Sequence, residues 1–286
     1  MDVLWSELLT CLDLHPRLSA PTFAGNDDGG SAVGDRRATL VVFEAPNQQI
    51  GYRRLFGGQL LAQFVRAAGV ACRDKVVKSA HVVFAREGKN DEPVRYIVQR
   101  HHEGRSFATL AIVARQKSGV VATASVSMHA VETGIEHQVV DEVPPVLDAE
   151  HEVRLSVIPW QTRATTDLND TAASPPNYDM WMRTPEVDAA LAPALTAYAS
   201  DLNLIGTALR PLEGFSQGGN GTAFTSATIS HTLWFHRPFR TDDWLLLRNH
   251  APLVAHGRCF GRGDILTADG VLVASFAQEG LLRFRP

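Results

Sequence analysis

The sequence predicts an α+β protein built from two tandem copies of one unit, each a long helix wrapped by a curved antiparallel sheet. Internal similarity is the first observation behind this. HVVFAREG (81–88) matches HTLWFHRPF (231–239), GRSF (104–107) matches GRCF (257–260), and SGVVATASVSM (118–128) matches DGVLVASFAQE (269–279). The second observation is a shared offset: 151 residues from Phe84 to Phe235, 153 between the GR pairs, and 151 from Gly119 to Gly270. Three matches in one order at nearly one offset mark a duplication. Composition is the third. With 286 residues, 45% apolar and 20% charged, at formal net charge −4, the chain suits one large globular domain or two of ordinary size.

Each copy repeats one grammar. The N-terminal stretch MDVLWSELLTCLDL has no basic n-region and acids among its apolar residues, so it reads as a short amphipathic helix rather than a secretion signal. A strand-like ATLVVFEA (38–45) precedes the helix GGQLLAQFVRAAG (57–69), whose Leu60, Leu61, Phe64, Val65 and Ala68 fall on one face. Strands KSAHVVFA, VRYIVQRHH, SFATLAIVARQ and VVATASVSMHA follow, with Gly or Asn/Asp turn signals between them. In the second copy PALTAYASDLNLIGTAL (193–209) is the helix, and SATISHTLWFH, DWLLLRNHA, RCFGRGDILTA and VLVASFAQEGLL are the strands. Residues 1–130 and 161–286 are thus the two units, joined by a polar, proline-containing linker at 131–160.

Several function classes are disfavoured. The mild acidity gives no basic stripe for nucleic acid, and no apolar run approaches the roughly 18 residues of a membrane span. Cys11, Cys72 and Cys259 are odd in number and far apart, so free thiols in a reducing, cytoplasmic setting are expected. No Cys/His/Asp cluster has ligand spacing, and His231 and His236, five apart on a strand, face opposite ways, so no metal is expected. Sheet edges that pair between subunits suggest a homo-oligomer. Gly214-x-Ser216-x-Gly218, followed by Asp242 or Asp243 and then His256, has the chain order of an α/β-hydrolase triad. It lacks the flanking strand and helix of a nucleophile elbow, so a flexible loop is the better reading.

Four stretches, FGGQLLAQ (56–63), YASDLNLI (198–205), SATISHTLWFHRPF (226–239) and DGVLVASFAQEGLLR (269–283), resemble the acyl-CoA thioesterase II family, the double-hotdog thioesterases. The likeness runs from about residue 5 to the end and is weakest over 131–195. It implies two tandem hotdog units, hydrolysis of acyl-CoA to fatty acid and coenzyme A, no cofactor, and a catalytic trio of Asp201, Thr228 and Gln278 that activates water. The sequence departs from the family in having Ser230 where an aspartate is frequent, which bears on how Thr228 or His231 is hydrogen-bonded. It also has AREG (85–88) where FxRPG is usual.

The residues themselves say less. Asp201 shares a helical face with Tyr198, Ile205 and Ala208, where burial raises a carboxyl pKa toward that of a base; from the residues alone, a structural aspartate satisfied by a nearby hydroxyl or cap is the favoured reading. Simple alternation puts Ala227, Ile229, Leu233 and Phe235 on one strand face and Ser226, Thr228, Ser230 and Thr232 on the other, where a threonine is an ordinary strand former. Gln278 continues the apolar face of Leu272, Ala274 and Phe276, so its amide needs partners. At the offset of 151, Thr228 corresponds to Val77 and Gln278 to Ser127, which places one polar centre per chain in the second half. Gly57, Gly58 and Gln59 open a helix whose N–H groups suit an oxyanion or phosphate, or form a tight turn. His231 and Arg237 are further substrate contacts, and Arg86, Arg105, Arg258 and Arg262 are candidates for the coenzyme A phosphates. The alternative is a non-catalytic acyl-CoA-binding or sensing protein. A hydratase would want a His–Asp pair near a helix start.

Overall fold

Two of the strand-forming runs, VVKSAHVVF and FTSATISHTLWF, lie side by side at the centre of the molecule. The structure is a computed structural model describing residues 2–17, 40–51 and 54–285. Strands β3 (Val76–Phe84) and β9 (Phe224–Phe235) pair antiparallel, with His81 opposite Thr232. These two residues are 151 apart, and His81 Nδ1 lies 2.7 Å from Thr232 Oγ1. A residue therefore faces its own repeat mate, and a pseudo-twofold axis passes through the pair.

The rest of the sheet unfolds from that seam. The first half contributes β1 (Pro16–Arg17), β2 (Leu40–Ala45), β4 (Val94–Glu103), β5 (Phe107–Gln116) and β6 (Gly119–His129); the second contributes β7 (Gln161–Arg163), β8 (Asn177–Arg183), β10 (Leu245–Ala255), β11 (Arg258–Thr267) and β12 (Leu272–Phe284). The spatial order is β1-β2-β4-β5-β6-β3-β9-β12-β11-β10-β8-β7 in one sheet of twelve strands. Each half is the other read backwards, so the expected pair of sheets is one continuous sheet.

Helix α1 (Asp2–Leu12) covers part of the first half. Helix α2 (Gly57–Ala71) is buried on nearly every side, from Gly58 through Val65 without a break, because it also packs against α3 (Ala192–Ser200) from the other half. Phe56 meets Tyr198 edge-on at a centroid distance of 4.9 Å. Alternation along β10 separates two apolar layers. Leu245 and Leu247 join the main core with the helices. Leu246 joins Trp181 and Leu266 on the opposite face, under Val140, Val143, Val146 and Leu147. Those four valine and leucine side chains belong to a segment without regular secondary structure within the expected linker, and Arg248 clamps it through the carbonyls of Asp141 and Glu142 at 3.1 and 2.8 Å.

Three local expectations are corrected. The second helix is not continuous: it stops at Ser200 and resumes as α4 (Leu204–Leu209), with Asp201 as the C-cap of α3. β8, from NYDMWMR, was not expected; its pattern does not alternate, because Met180, Trp181 and Met182 are all buried between the two layers. Of ATLVVFEA, residues 38 and 39 lie outside the described residues. Third, strand β9 carries a bulge, since Ser230 pairs Glu279 while Thr228 pairs Gly280, leaving Ile229 unpaired. One extra residue reverses the alternation, so Thr228 faces inward with His231, Leu233 and Phe235 rather than away from them. β3 has the same bulge at Lys78. The scaffold is duplicated down to its irregularities.

Leu233, fully buried at the seam opposite Ala80, tests how far the halves depend on each other. Leu233→Ala is expected to cost about 2–5 kcal/mol, read as a lower denaturant midpoint in a single transition that both halves share.

Candidate active site

Asp201 stands where the helix breaks. Its side chain turns from the carbonyl end of α3 toward the amide end of α2. There the Gly58 N–H hydrogen-bonds the carboxylate. From the sheet, the bulge delivers Thr228, whose Oγ1 donates to Asp201 Oδ1 at 2.7 Å. Gln278 on β12 stands behind Thr228 and donates from Nε2 to Thr228 Oγ1 at 3.2 Å. The three expected residues thus come together from a helix end and two strands. The chain of contacts goes on. Gln278 Oε1 lies 3.1 Å from His231 Nδ1, and His231 Nε2 lies 3.0 Å from Ser200 Oγ.

Electrostatics follow from the burial. Desolvation pushes the Asp201 pKa up to about 7, against the opposing pull of the Thr228 hydroxyl and the Gly58 amide. The two helix ends act oppositely on it, the α3 carbonyl end disfavouring the charge and the α2 amide end favouring it. Burial also pulls His231 down to about 4, so its ring is neutral at ordinary pH.

A cavity of about 430 Å³ opens onto Asp201 and Thr228, with Gly57, Leu60, Phe84, Ile205, Phe224 and Leu281 among its lining. Arg54 and Arg86 also line it, and Arg54 is paired with Glu87 at 2.8 Å. Arg54 was missed because nothing in its local sequence separates it from any surface arginine. The duplication of polarity is also clearer here. Gln278 pairs with His231 as Val126 pairs with Ala80, so Val126, not Ser127, is its counterpart. The offset is 151 from Ala80 to His231 and 152 from Val126 to Gln278, so the second half carries one more residue between these two strands.

Several expected contacts are corrected. His231 is fully buried and does not line the cavity, so it does not touch substrate directly. Gln59 is 1% exposed and is consumed by the Gln48 N–H at 2.8 Å and Asn47 Oδ1 at 2.9 Å. Arg237 is held by Glu136 at 3.2 Å and by the Leu272 carbonyl at 2.8 Å. The Gly58 N–H serves Asp201, leaving Gly57 as the helix-start residue on the cavity. Ser230 alternates outward, opposite Val83 and Glu279, and no hydrogen bond links it to Thr228 or His231. Arg258 pairs with Glu279 at 3.4 Å, while Arg105 and Arg262 are exposed away from the cavity lining.

Other chemistries find no footing. Ser216 has extended backbone before a 3-10 turn over Gln217–Gly219, Asp242 is tied to Arg240, and His256 sits in the β10–β11 turn at φ 51°. All three cysteines are free and buried, and burial pushes the Cys11 and Cys259 thiols up to about 12 and about 11, away from thiolate chemistry. Among the described residues Cys72, Asp74 and Glu103 approach one another. They lie at the far end of α2, about 22 Å away by helix rise, and Asp74 is already paired with Lys75.

Glycine at 57 and 58 is required by space. A Cβ at 57 would fall 2.5 Å from Asp201 Oδ2, and one at 58 would overlap the Tyr198 carbonyl. The raised Asp201 pKa has a stability consequence. The folded state binds the proton more tightly than the unfolded chain, whose value is 3.8, so stability falls as pH rises from about 4 through about 7. Asp201→Asn removes that loss. Its melting temperature should match wild type near pH 4 and exceed it at pH 8, by the equivalent of up to a few kcal/mol.

Comparison with known proteins gives the family. Residues 44–129 match the acyl-CoA thioesterase N-terminal domain and residues 137–282 the acyl-CoA thioesterase C-terminal domain. Acyl-CoA thioesterase 2 of Haemophilus influenzae is 32% identical over 85% of this chain and 93% of its own length. Acyl-coenzyme A thioesterase 8 of Mus musculus is 30% identical over 92% of this chain and 94% of its own. Among solved structures, the tesB protein of Mycobacterium avium subspecies paratuberculosis superposes with a TM-score of 0.75, 25% identity, and 99% and 100% coverage of the two chains. The acyl-CoA thioesterase II TesB2 of Mycobacterium marinum does so at 0.68 and 28% identity, covering 85% and 92%. The duplicated hotdog architecture and these matches over both halves place the chain in the acyl-CoA thioesterase II family.

Proposed function

We propose that this protein hydrolyses acyl-CoA thioesters to a free fatty acid and coenzyme A, with Asp201 as general base. One observation carries the reading. A buried carboxyl with its pKa near 7 faces an apolar cavity and is hydrogen-bonded by Thr228. A base poised near the working pH is what water activation needs.

In this mechanism Asp201 takes a proton from a water held beside Thr228, and the oxygen adds to the thioester carbonyl. The tetrahedral intermediate collapses by breaking the C–S bond, and the departing thiolate takes the proton back from Asp201. No acyl-enzyme forms. Gln278 acts through Thr228, fixing the hydroxyl so that its proton points at Asp201. Gly57, at the open first turn of α2, is the available backbone donor on the cavity for the carbonyl oxygen. Apolar Leu60, Phe84, Ile205 and Phe224 suit an acyl chain, and Arg54 and Arg86 suit phosphate. Three free buried thiols support a reducing, cytoplasmic setting. A homo-oligomer belongs to the same proposal; β3–β9 pairing uses one edge of each half internally, leaving β1 and β7 outermost.

Thiol release from a panel of acyl-CoA lengths tests the reading. Asp201→Asn should lower kcat by about 10²–10⁴ while the variant still binds acyl-CoA. A wild type that binds acyl-CoA but releases no thiol would instead be the binding protein. Because only the ionised base works, wild-type kcat/KM should rise with pH through an apparent pKa near 7. Thr228→Ala and Gln278→Ala should each lower kcat by about 10².

A further inference from the structure

We propose that His231 and Ser200 are positioning residues that lock the Gln278 carboxamide with its N–H toward Thr228. The proposal rests on the hydrolase reading above and extends its machinery by two residues that touch no substrate.

Proton counting carries it. A neutral imidazole has one N–H, and every group in the chain from Ser200 to Asp201 is buried or half-buried. Suppose the proton sits on Nδ1. His231 then donates to Gln278 Oε1, Gln278 Nε2 donates to Thr228 Oγ1, Thr228 donates to Asp201, and Ser200 donates to His231 Nε2. Every contact from Ser200 to Asp201 then joins one donor to one acceptor, and all donors point toward the carboxylate; the Ser200 hydroxyl turns its proton to His231 and gives up its bond to the Ala197 carbonyl 3.0 Å away.

Now suppose the proton sits on Nε2. His231 donates to Ser200, which in turn satisfies the Ala197 carbonyl at 3.0 Å. Nδ1 becomes an acceptor, so the Gln278 amide must turn over and present Oε1 to Thr228. The single Thr228 proton then has two acceptors, and one of them is left facing bare oxygen. With Asp201 ionised, this leaves a buried acceptor unsatisfied, which the folded state disfavours. The first arrangement is therefore the one compatible with a working base.

The duplication supplies an independent observation. In the first half the places of Thr228, His231 and Gln278 are taken by Val77, Ala80 and Val126, as the register of β3 with β6 and of β9 with β12 shows. All three are buried and apolar. The strand architecture does not require a histidine at that place. It appears together with Thr228 and Gln278, in the half that carries the carboxylate. Its ring stacks on Phe276 at 5.7 Å and 10°, which fixes the plane in which its two nitrogens point.

The test uses the full-length protein. ¹⁵N-labelled histidine spectra of the wild type, with His231 assigned by its loss in His231→Asn, should show a protonated Nδ1 and a bare Nε2. His231→Leu should lower kcat by about 10- to 100-fold with KM within about twofold, the scale of a supporting-residue loss. His231→Asn, whose amide N–H replaces Nδ1–H, should recover most of that rate; His231→Gln, whose amide reaches the Nε2 place, should not. Ser200→Ala, a smaller change that stands in if the Leu variant does not fold, should lower kcat by about 3- to 10-fold at unchanged KM. A proton on Nε2, equal impairment of the Asn and Gln variants, or wild-type kcat in both Leu and Ala variants overturns the proposal. A wild type releasing no thiol fails the hydrolase reading instead, and the nitrogen spectrum still decides the tautomer.

Discussion

The site depends on keeping one carboxylate dry and still charged. Asp201 has lost most of its water, and what replaces water is a fixed set of donors: the Gly58 amide and the Thr228 hydroxyl. Too few donors would leave the group permanently protonated, and too many would make it too weak a base. The balance sets it near neutrality. The structure accepts a cost in stability for this, since the same desolvation that raises the Asp201 pKa penalises the folded state once the proton leaves.

Backbone irregularities aim the groups. A regular helix through residues 201–203 would carry the carboxyl along the α3 axis, and the interruption lets it face the amide end of α2 instead. A regular strand at Ile229 would turn Thr228 to the other face of the sheet. The bulge occurs in both halves, at Lys78 and Ile229, so it belongs to the scaffold, and only the second half has placed polar groups on it. Bulges next to functional groups re-aim side chains in this way. The glycine pair at 57 and 58 completes the geometry by letting α2 come close enough for its backbone, rather than a side chain, to meet Asp201.

The pseudo-twofold arrangement sets groups from both halves around the cavity. The β3–β9 seam and the α2–α3 contact bring the two halves together, so the first half contributes a helix end and the cavity residues Leu60, Phe84 and Arg86. The second contributes the titrating group and its hydrogen-bonded partners.

By itself the sequence determined the duplication, the long helix α2, the four-strand meander of each copy and the inward-facing Gln278, because periodicity and repeat offset are local properties that survive without coordinates. The resemblance of YASD, ATI and QEG named Asp201, Thr228 and Gln278. The sequence also misled where periodicity was trusted too far, at the unbroken helix and at the face assigned to Thr228. Only the tertiary structure decided that His231 is buried behind Gln278, that Gly58 serves the carboxylate, that Val126 is the counterpart of Gln278, and that Arg54 reaches the cavity. The physical reason is range. These placements join residues tens to more than a hundred positions apart and are set by strand register and helix approach, and the one-residue bulge at Ile229 that aims Thr228 leaves no mark on the local pattern.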